Sequence, residues 1–438
     1  MAAETAVSSL CDNNFIPVSG DWRWRAEDCI IDSGKTGGSG WRTPAMIMAC
    51  GCLVLMLSLG TRQSFGLFLP PMTFDLAWTR ETFAFAIALQ NLVWGVGQPF
   101  AGAIADKFGA ARVIVAGGAC YALGLTLMTY STTGLAFDIS AGILVGLGLS
   151  GSGFGVVMGV VGRSVPAKKR SAALGLVGAG GSFGQFALLP YGQTLITHFG
   201  WLNALLVLAA TSLLIIPLAA ALAGKNTAAH ASDQSLTAAI HEAATHKGFR
   251  YLTASFLVCG FQTAFIMVHL PAYLVDKGLS PVEGMTALAL IGFFNIIGSY
   301  GSGLLGGHYS KKNLLAWIYG IRAVAIALFI ALPLSAIAVW GFAIAMGLTW
   351  LGTVPLTNGL VAHIFGVKYL STLFSIAFLG HQIGSFLGAW YGGFMFDLTG
   401  SYTTVWIFCV VLSVVAAALC VPIDEREVVT LRVGGSGA

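Results

Sequence analysis

Long apolar stretches alternate with short polar ones from residue 44 to residue 422 of the chain. A helix needs about 20 predominantly apolar residues to cross the hydrocarbon core of a bilayer, and twelve stretches meet that length. The predicted spans, numbered 1 to 12, cover 44–69, 82–105, 111–131, 136–162, 171–194, 201–223, 250–274, 284–307, 313–333, 336–362, 369–393 and 402–422. The pattern predicts an all-α membrane protein with twelve transmembrane helices.

One polar stretch (224–250) is much longer than the other connections, and it leaves six spans on either side. A helix is expected within it over residues 235–245. The two halves share residues at an offset of 200 or 201 positions, namely Gly60 and Gly260, Pro70 and Pro271, Asp75 and Asp276, Gly97 and Gly298, and Gly102 and Gly303. Such repeats place a substrate site near the membrane midplane, where the halves meet. We therefore expect two six-helix bundles.

The lysines and arginines of the connections predict the orientation, because cytoplasmic connections are enriched in them. With a cytoplasmic amino terminus, the inner connections hold twelve of these residues and the outer ones only Arg80 and Lys277. Both termini are expected in the cytoplasm, and the protein in the cytoplasmic (inner) membrane. The expected domains are a disordered cytoplasmic tail (1–43), a first bundle (44–223), a cytoplasmic linker (224–249), a second bundle (250–422) and a second cytoplasmic tail (423–438).

Composition supports a membrane protein and excludes several other classes. Of 438 residues 56% are hydrophobic and 9% charged, against about 25% charged in a soluble domain. Six of the eight cysteines lie in apolar runs, where a thiol behaves as a small hydrophobe. We expect no disulfide framework, no metal site and no cofactor. The net charge of +4 comes from short connections, so no nucleic-acid partner is expected.

A short motif carries a resemblance to a known family. GAIADKFGAARV (102–113), between spans 2 and 3, resembles the loop motif of the major facilitator superfamily. The matching residues are Gly102, Asp106, Lys107, Gly109 and Arg112, whereas Ala111 stands at a usually basic position. The resemblance implies that this cluster holds an inner gate shut, with Asp106 paired to Arg112 or facing a helix amino terminus. Gly102 would let helices approach, and Gly109 would allow a tight loop. In the second half, Gly307 takes the place of Asp106.

Four further stretches are similar to the bacterial branch related to monocarboxylate transporters and oxalate–formate antiporters. They are GTRQSFGLFLPP (60–71), PAKKRSAALGLVGAGGSFGQ (166–185), CGFQTAFIMVHLPAYLVDKGLS (259–280) and FLGHQIGSFLGAWYGGFMFDLTGSY (378–402). Span 8 lacks the Asp and Arg that animal monocarboxylate carriers have there. The resemblance therefore implies the transporter class and fold but supplies no substrate residues in span 8.

Two motifs that suggest enzymes have simpler explanations. GLGLSG (146–151) matches a dinucleotide fingerprint, but it lies inside an apolar span without the strand and acidic residue that such a site needs. HEAATH (241–246) separates its histidines by five positions, whereas a zinc protease needs them four apart on one helical face. We expect no enzyme.

Arg62 is the candidate with the clearest chemistry. A central arginine costs about 2.5–3.5 kcal/mol on insertion scales and is by default a functional hypothesis. No Asp or Glu lies in the middle of any span, so Arg62 lacks an evident permanent counter-ion. A guanidinium binds carboxylates bidentately. We expect Arg62 to bind an anion, with helix packing or gating as the alternative.

Other polar residues at membrane depth complete the predicted substrate site. They are Gln63, Asn91, Gln185, Gln262, His269, Asn295, Asn358 and His381, although a single Asn or Gln is more often a bond between helices. If protons are co-transported, His269 and His381 are the candidates, because imidazole titrates near neutral pH. His269 is preferred, because span 7 mirrors span 1. Arg322 in span 9 is expected to snorkel or to bind carbonyls.

The leading hypothesis is a secondary transporter for a small organic anion, a monocarboxylate in the first place, with proton symport and exchange for a counter-anion both open. The protein is expected to be a monomer. Efflux of neutral drugs or metabolites and a membrane ligand sensor are the alternatives. Cationic drugs would need a buried carboxylate, and neither tail (1–42 or 423–438) is long enough for a signalling domain.

Overall fold

The computed structural model describes residues 41–223, 236–366 and 370–427. Contacts divide the chain between Arg42 and Thr43, and the description below concerns the part from Thr43 onward. The predicted tail up to residue 40, residues 224–235 of the linker, and residues 428–438 of the second tail lie outside the described residues.

The described residues form helices and no strand, which confirms the predicted all-α class. The helices are α1 (Pro44–Gln63), α2 (Phe65–Asp75), α3 (Arg80–Phe108), α4 (Ala110–Met128), α5 (Gly134–Phe137), α6 (Val145–Ser152), α7 (Phe154–Ser164), α8 (Ala167–Ser212), α9 (Ile215–Leu218), α10 (Leu236–Thr245), α11 (Lys247–Asp276), α12 (Pro281–His308), α13 (Lys311–Ala331), α14 (Ala336–Thr349), α15 (Thr353–Phe365), α16 (Leu370–Thr399) and α17 (Thr403–Cys420). A π-helical segment, Asp138–Leu144, joins α5 to α6.

Ten helical stretches of the described chain are long and apolar enough to cross a membrane. The helix α3 is not among them; it is 29 residues long and carries the buried polar residues Gln90, Asn91 and Gln98. Predicted spans 5 and 6 belong to one helical stretch that is broken at Gly200, where φ is 77°. The predicted linker helix forms as α10.

Serine and threonine residues start several of the helices. The side chain of Thr43 accepts a hydrogen bond from the Met46 N–H at 3.2 Å, and Pro44 occupies the first turn of α1. Thr79 caps α3 in the same way. These caps satisfy backbone donors that a helix start otherwise leaves unpaired, and proline is tolerated there because its missing N–H is not needed.

Three of the predicted spans are interrupted helices. Span 1 breaks at Ser64 between α1 and α2, span 4 at Gly153 between α6 and α7, and span 10 at residues 350–352 between α14 and α15. Each break leaves backbone groups without helical partners, and such groups are tolerated at membrane depth only where protein or a cavity surrounds them.

The two halves of the chain repeat one contact. The Tyr121 hydroxyl donates to the carbonyl of Ser58 at 2.9 Å in the first half, and the Tyr319 hydroxyl donates to the carbonyl of Ser255 at 2.7 Å in the second. Each bond joins the third span of its half to the first. The equivalent residues lie 197 and 198 positions apart, close to but not in the register of 200 or 201 positions expected from the sequence.

The halves pack along three helix pairs: α3 against α16, α8 against α12, and α2 against α11. At the α2–α11 crossing, a Cβ added to Gly66 would lie 2.1 Å from the carbonyl oxygen of Met267. Only glycine permits this approach, and it brings span 1 into direct contact with span 7. Between α8 and α12, Gln185 Nε2 donates to the carbonyl of Leu288 at 2.9 Å.

One end of the bundle is tied across the halves. We call it the far side, because it lies opposite the α3–α4 connection, and we call the end with that connection the motif side. On the far side, Arg80 at the start of α3 forms an ion pair with Asp276 at the end of α11, with N–O distances of 2.6 Å. The Asp397 carboxylate accepts hydrogen bonds from the backbone N–H groups of Arg80 and Glu81. The far side is therefore held together across the two halves.

Candidate functional site

Arg62 lies in the last turn of α1 beside the break at Ser64, and its side chain is only 7% exposed. Its Nη2 donates to Asn91 Oδ1 on α3, and its Nη1 lies 3.5 Å from the sulfur of Met267 on α11. The guanidinium also stands over the Trp94 ring, 5.2 Å from its centroid. The interruption of span 1 and the crossing at Gly66 thus bring Arg62 to the junction of the two halves.

The guanidinium of Arg62 keeps unused hydrogen-bonding capacity. A guanidinium has five N–H donors, and Nε has no partner within the described part of the chain. Of the Nη contacts, one is to an amide oxygen and one to a weakly accepting thioether. No carboxylate pairs with it in the part of the chain that the structure describes. The expected unpaired cation is present, and donors remain for an anion.

Asn91 fixes the position of that cation. Its Nδ2 donates to the carbonyl of Ile87 at 2.7 Å, which leaves Oδ1 as the acceptor for Arg62. Its own backbone carbonyl accepts from Gln382 Nε2 on α16 at 3.2 Å. Gln382 in turn contacts His381, since its Oε1 lies 3.1 Å from His381 Nδ1. A hydrogen-bonded series therefore runs from Arg62 through Asn91 and Gln382 to His381.

His269 belongs to a different group of residues, on the far side. It is fully buried, its Nε2 lies 2.8 Å from the carbonyl of Ala389, and its Nδ1 lies 3.0 Å from the Tyr402 hydroxyl. That hydroxyl also accepts from Arg80 Nη1 at 3.0 Å. The structure thus connects His269 to the far-side ion pair and not to Arg62.

The remaining predicted substrate residues are not gathered around Arg62 by any of their hydrogen bonds. Gln262 accepts from Arg322 at 3.3 Å and donates to the Cys409 carbonyl at 2.9 Å. Asn295 accepts from the Leu351 N–H at the α14–α15 break, at 3.0 Å, and donates to Ser182 Oγ. Gln185 joins α8 to α12 as described above.

Two further predicted residues have no such bond within the described chain. Asn358 is exposed, on α15. Gln63 is half-buried next to Arg62, and its Oε1 has no partner among the described residues. Gln63 follows Arg62 in the chain, but adjacent residues of a helix do not face each other, and neither Gln63 nor Asn358 is joined to this group by a described bond.

The loop motif differs in two respects from its predicted contacts. Asp106 pairs with Arg163 of α7 at 3.1 Å and not with Arg112, which donates to the carbonyl of Phe108. Arg112 follows a left-handed Gly109 (φ 98°) at the start of α4, so it turns back onto the end of α3. A Cβ added to Gly102 would meet nothing within 4 Å, so close helix contact does not explain this glycine.

The rest of the loop motif agrees with its sequence. Gly109 is the only residue between α3 and α4, and its positive φ explains the expected tight loop. Lys107 stands over the Phe108 ring, with Nζ 5.3 Å from the centroid. The motif thus forms the one-residue turn between α3 and α4, and its Asp106–Arg163 pair joins α3 to α7 within the first half.

Arg322 binds carbonyls, as expected from the sequence. Its Nη2 donates to the carbonyls of Thr349 and Trp350, where α14 ends, and its Nη1 donates to Gln262. The side chain is fully buried. Arg322 therefore satisfies backbone oxygens that the interruption of span 10 leaves without helical partners.

Sequence reasoning missed three residues around Arg62. Trp94 and Met267 have the appearance of ordinary apolar residues, and Gln382 resembles any glutamine that joins two helices. The one available signal was their position in the same spans as the predicted polar residues.

A family model described as Major Facilitator Superfamily matches residues 51–356. The chain is 26% identical over 377 residues to "Monocarboxylate transporter 13" of Rattus norvegicus, covering 85% of this chain and 86% of that protein. It is 25% identical to "Uncharacterized MFS-type transporter YcxA" of Bacillus subtilis (strain 168), covering 84% of this chain and 92% of the relative.

Two solved structures share the fold. A bacterial homolog of the human lysosomal transporter Spinster, in an inward-facing and occupied conformation, has a TM-score of 0.67 at 15% identity and covers 88% of this chain and 97% of its own. A D-xylose-proton symporter has a TM-score of 0.67 at 13% identity, covering 88% and 99%.

Proposed function

The chain belongs to the Major Facilitator Superfamily, and on that premise we propose that it is a secondary active transporter for a small organic monocarboxylate. Transport follows from the family, and the substrate class is our inference. The names of the monocarboxylate transporters among its relatives support it, although their identity is low, at 26% for the rat protein.

The observation that carries the proposal is the buried, uncompensated guanidinium of Arg62. An unpaired cation at membrane depth is costly, and an anionic ligand offsets that cost while the site is occupied. The free Nε and the adjacent Nη form a fork that matches the two oxygens of a carboxylate. Trp94 and Met267 add an apolar wall, which suits a carboxylate with a small apolar body.

Within the predicted site, we assign substrate contact to Arg62, and we assign the positioning of Arg62 to Asn91. His381 ends the hydrogen-bonded series through Gln382. Gln185, Gln262, His269 and Asn295 hold helices together through the bonds described above. Asp106 and Arg163 form the contact on the motif side that we expect to break and reform during the transport cycle.

We further propose twelve spans in two bundles (44–223 and 250–422), with both termini in the cytoplasm and the motif side facing inward. Two features support the count beyond the ten apolar helical stretches: the full span length of α3, and the break at Gly200 between spans 5 and 6. The protein then lies in the cytoplasmic (inner) membrane as a monomer, closed toward the outside in this structure. Both proton symport and exchange for a counter-anion fit this arrangement.

The test is carboxylate binding and uptake by purified protein in proteoliposomes, with acetate, lactate, pyruvate, benzoate and succinate as the panel. Arg62→Gln removes the charge, and loss of one partner of a buried charge pair costs about 3–5 kcal/mol. We expect a loss of monocarboxylate affinity of about a hundredfold or more. Arg62→Lys keeps the charge without the fork and should retain part of the affinity.

Arg322→Gln is the matched control, since it removes the other buried guanidinium of the described helices. It should lower the thermal unfolding midpoint, because two carbonyls lose their donor, and it should leave affinity nearly unchanged. Parent-like binding of monocarboxylates by Arg62→Gln would show that Arg62 is structural and that the anion site is wrong.

A further inference from the structure

The two buried histidines, His269 and His381, differ in which of their ring nitrogens form hydrogen bonds. The carbonyl of Ala389 can only accept, so His269 must hold a proton on Nε2. Its Nδ1 then accepts from Tyr402, whose oxygen accepts from Arg80. Both nitrogens of neutral His269 are therefore engaged. A further proton on Nδ1 would face a hydroxyl that is already held by Arg80.

His381 differs, and its bonds decide its tautomer without ambiguity. The backbone carbonyl of Asn91 can only accept, so the Gln382 atom facing it is the amide nitrogen, and Oε1 faces His381. Because Oε1 also only accepts, His381 must donate from Nδ1. The lone pair of a neutral imidazole then lies on Nε2. That atom makes no geometrically defined hydrogen bond with the described residues, although the Cys259 thiol interacts with the imidazole, and the side chain is only 8% exposed.

We infer that His381 Nε2 is the binding site for a co-transported proton, an inference that rests on the proposed carboxylate transport through Arg62. The site is joined to the anion site by the series His381–Gln382–Asn91–Arg62, which crosses from α16 to α3. The proton is taken from water, adds to Nε2 to form the imidazolium, and returns to water as the imidazole becomes neutral again.

The groups around His381 make proton binding depend on the anion. Arg62 is joined to it through Asn91 and Gln382, and the Ser385 hydroxyl lies 3.5 Å from Nδ1. The Cys259 thiol on α11 interacts with the imidazole and with Arg322 of α13. Every described Asp and Glu lies at or near a helix end or in a connection. A proton added to Nε2 would be a positive charge joined by the series to that of Arg62, and like charges repel each other in a medium of low dielectric constant. An anion on Arg62 removes this repulsion, so anion and proton binding favour each other, and linkage makes the effect reciprocal.

The test counts protons taken up per anion bound, in weakly buffered detergent solution with a pH-indicator dye and with acetate, lactate, pyruvate and benzoate as probes. The parent should take up at most one proton for each anion that it binds near neutral pH, as expected for a single imidazole. His381→Asn keeps an N–H donor near the Nδ1 position but lacks the basic nitrogen, and it should take up none. His381→Gln serves in its place if that variant does not fold.

His269→Asn is the matched comparison, because it removes the other buried imidazole, and it should still take up protons with the anion. Retention of the parent's proton count in His381→Asn, or its complete loss in His269→Asn, would overturn the inference while leaving carboxylate transport intact. Failure of the parent to bind any of the four probes would instead reject the proposed function, and the inference with it.

Discussion

Two buried arginines have opposite surroundings at the scale of single residues. Both Nη groups of Arg322 donate within the fold, to two backbone carbonyls at the end of α14 and to Gln262, and only its Nε has no partner among the described residues. Arg62 has one amide oxygen and one thioether sulfur as partners. The same side chain is therefore a helix clamp in one place and a candidate ligand-binding group in the other.

Asn91→Asp tests whether the missing counter-ion matters. A carboxylate at the Oδ1 position would pair permanently with Arg62, and an internal ion pair competes directly with an external anion. We expect monocarboxylate affinity to fall at least about tenfold, since a hydrogen-bonded buried charge pair is worth about 1.4 kcal/mol or more. Folding should persist, because the charge is compensated. Isothermal titration of the purified variant measures the monocarboxylate affinity, and a thermal scan measures the unfolding midpoint.

Asn91→Leu separates the charge effect from loss of the amide. It removes the acceptor without adding a counter-ion, so Arg62 becomes less well positioned but stays uncompensated. Equal affinity in Asn91→Asp and the parent would mean that Arg62 does not bind the anion.

At the scale of elements, interrupted helices and close crossings produce the site. Span 1 is interrupted at Ser64, and two residues later Gly66 allows α2 to lie against the backbone of α11. Small residues allow helix backbones in membranes to approach each other. Van der Waals packing then stabilises the helix pair, because the hydrophobic effect does not drive helices together in lipid. This crossing places Met267 beside Arg62.

Gly66→Ala should destabilise the far-side-closed state, because the added methyl would lie 2.1 Å from the Met267 carbonyl oxygen and the helices must separate. Overpacking of this kind typically costs about 1–3 kcal/mol. The expected result is a lower thermal unfolding midpoint, together with faster labelling of a cysteine introduced at Thr73 on α2. Gly301→Ala on α12 is the control, since its Cβ meets nothing within 4 Å. An equal change of the unfolding midpoint and the labelling rate in both variants would show that the α2–α11 crossing is not their cause.

At the scale of the whole molecule, the described ion pair that crosses the halves and the ion pair of the loop motif lie at opposite ends. The far-side network of Arg80, Asp276 and Asp397 joins helices of both halves. The motif-side pair of Asp106 and Arg163 stays within the first half. Alternating access between two halves requires one end to be closed while the other opens, and this asymmetry corresponds to one such state.

The proposed topology is tested by reporter fusions at three positions. Fusions after Gly134 and Gly278 should report an external location, and one after Thr237 in α10 an internal location, because the linker then lies in the cytoplasm with both termini. Phosphatase and fluorescent-protein reporters give complementary signals at each site. An external signal at Thr237 would contradict the twelve-span arrangement.

The sequence by itself determined the helical membrane class, the charge of Arg62 inside an apolar run and the tight turn at Gly109, and it left snorkelling and carbonyl binding both open for Arg322. These features depend on hydropathy, on local backbone geometry and on the cost of a buried charge, all of which are properties of short segments. Tertiary structure alone decided that Asp106 pairs with Arg163, that Gln262 accepts a hydrogen bond from Arg322, and that His269 belongs to the far side. The site itself joins Arg62 to Met267 across 205 residues and Asn91 to Gln382 across 291. Such pairs depend on how helices cross and which face each presents, and a single sequence carries no local signal for either.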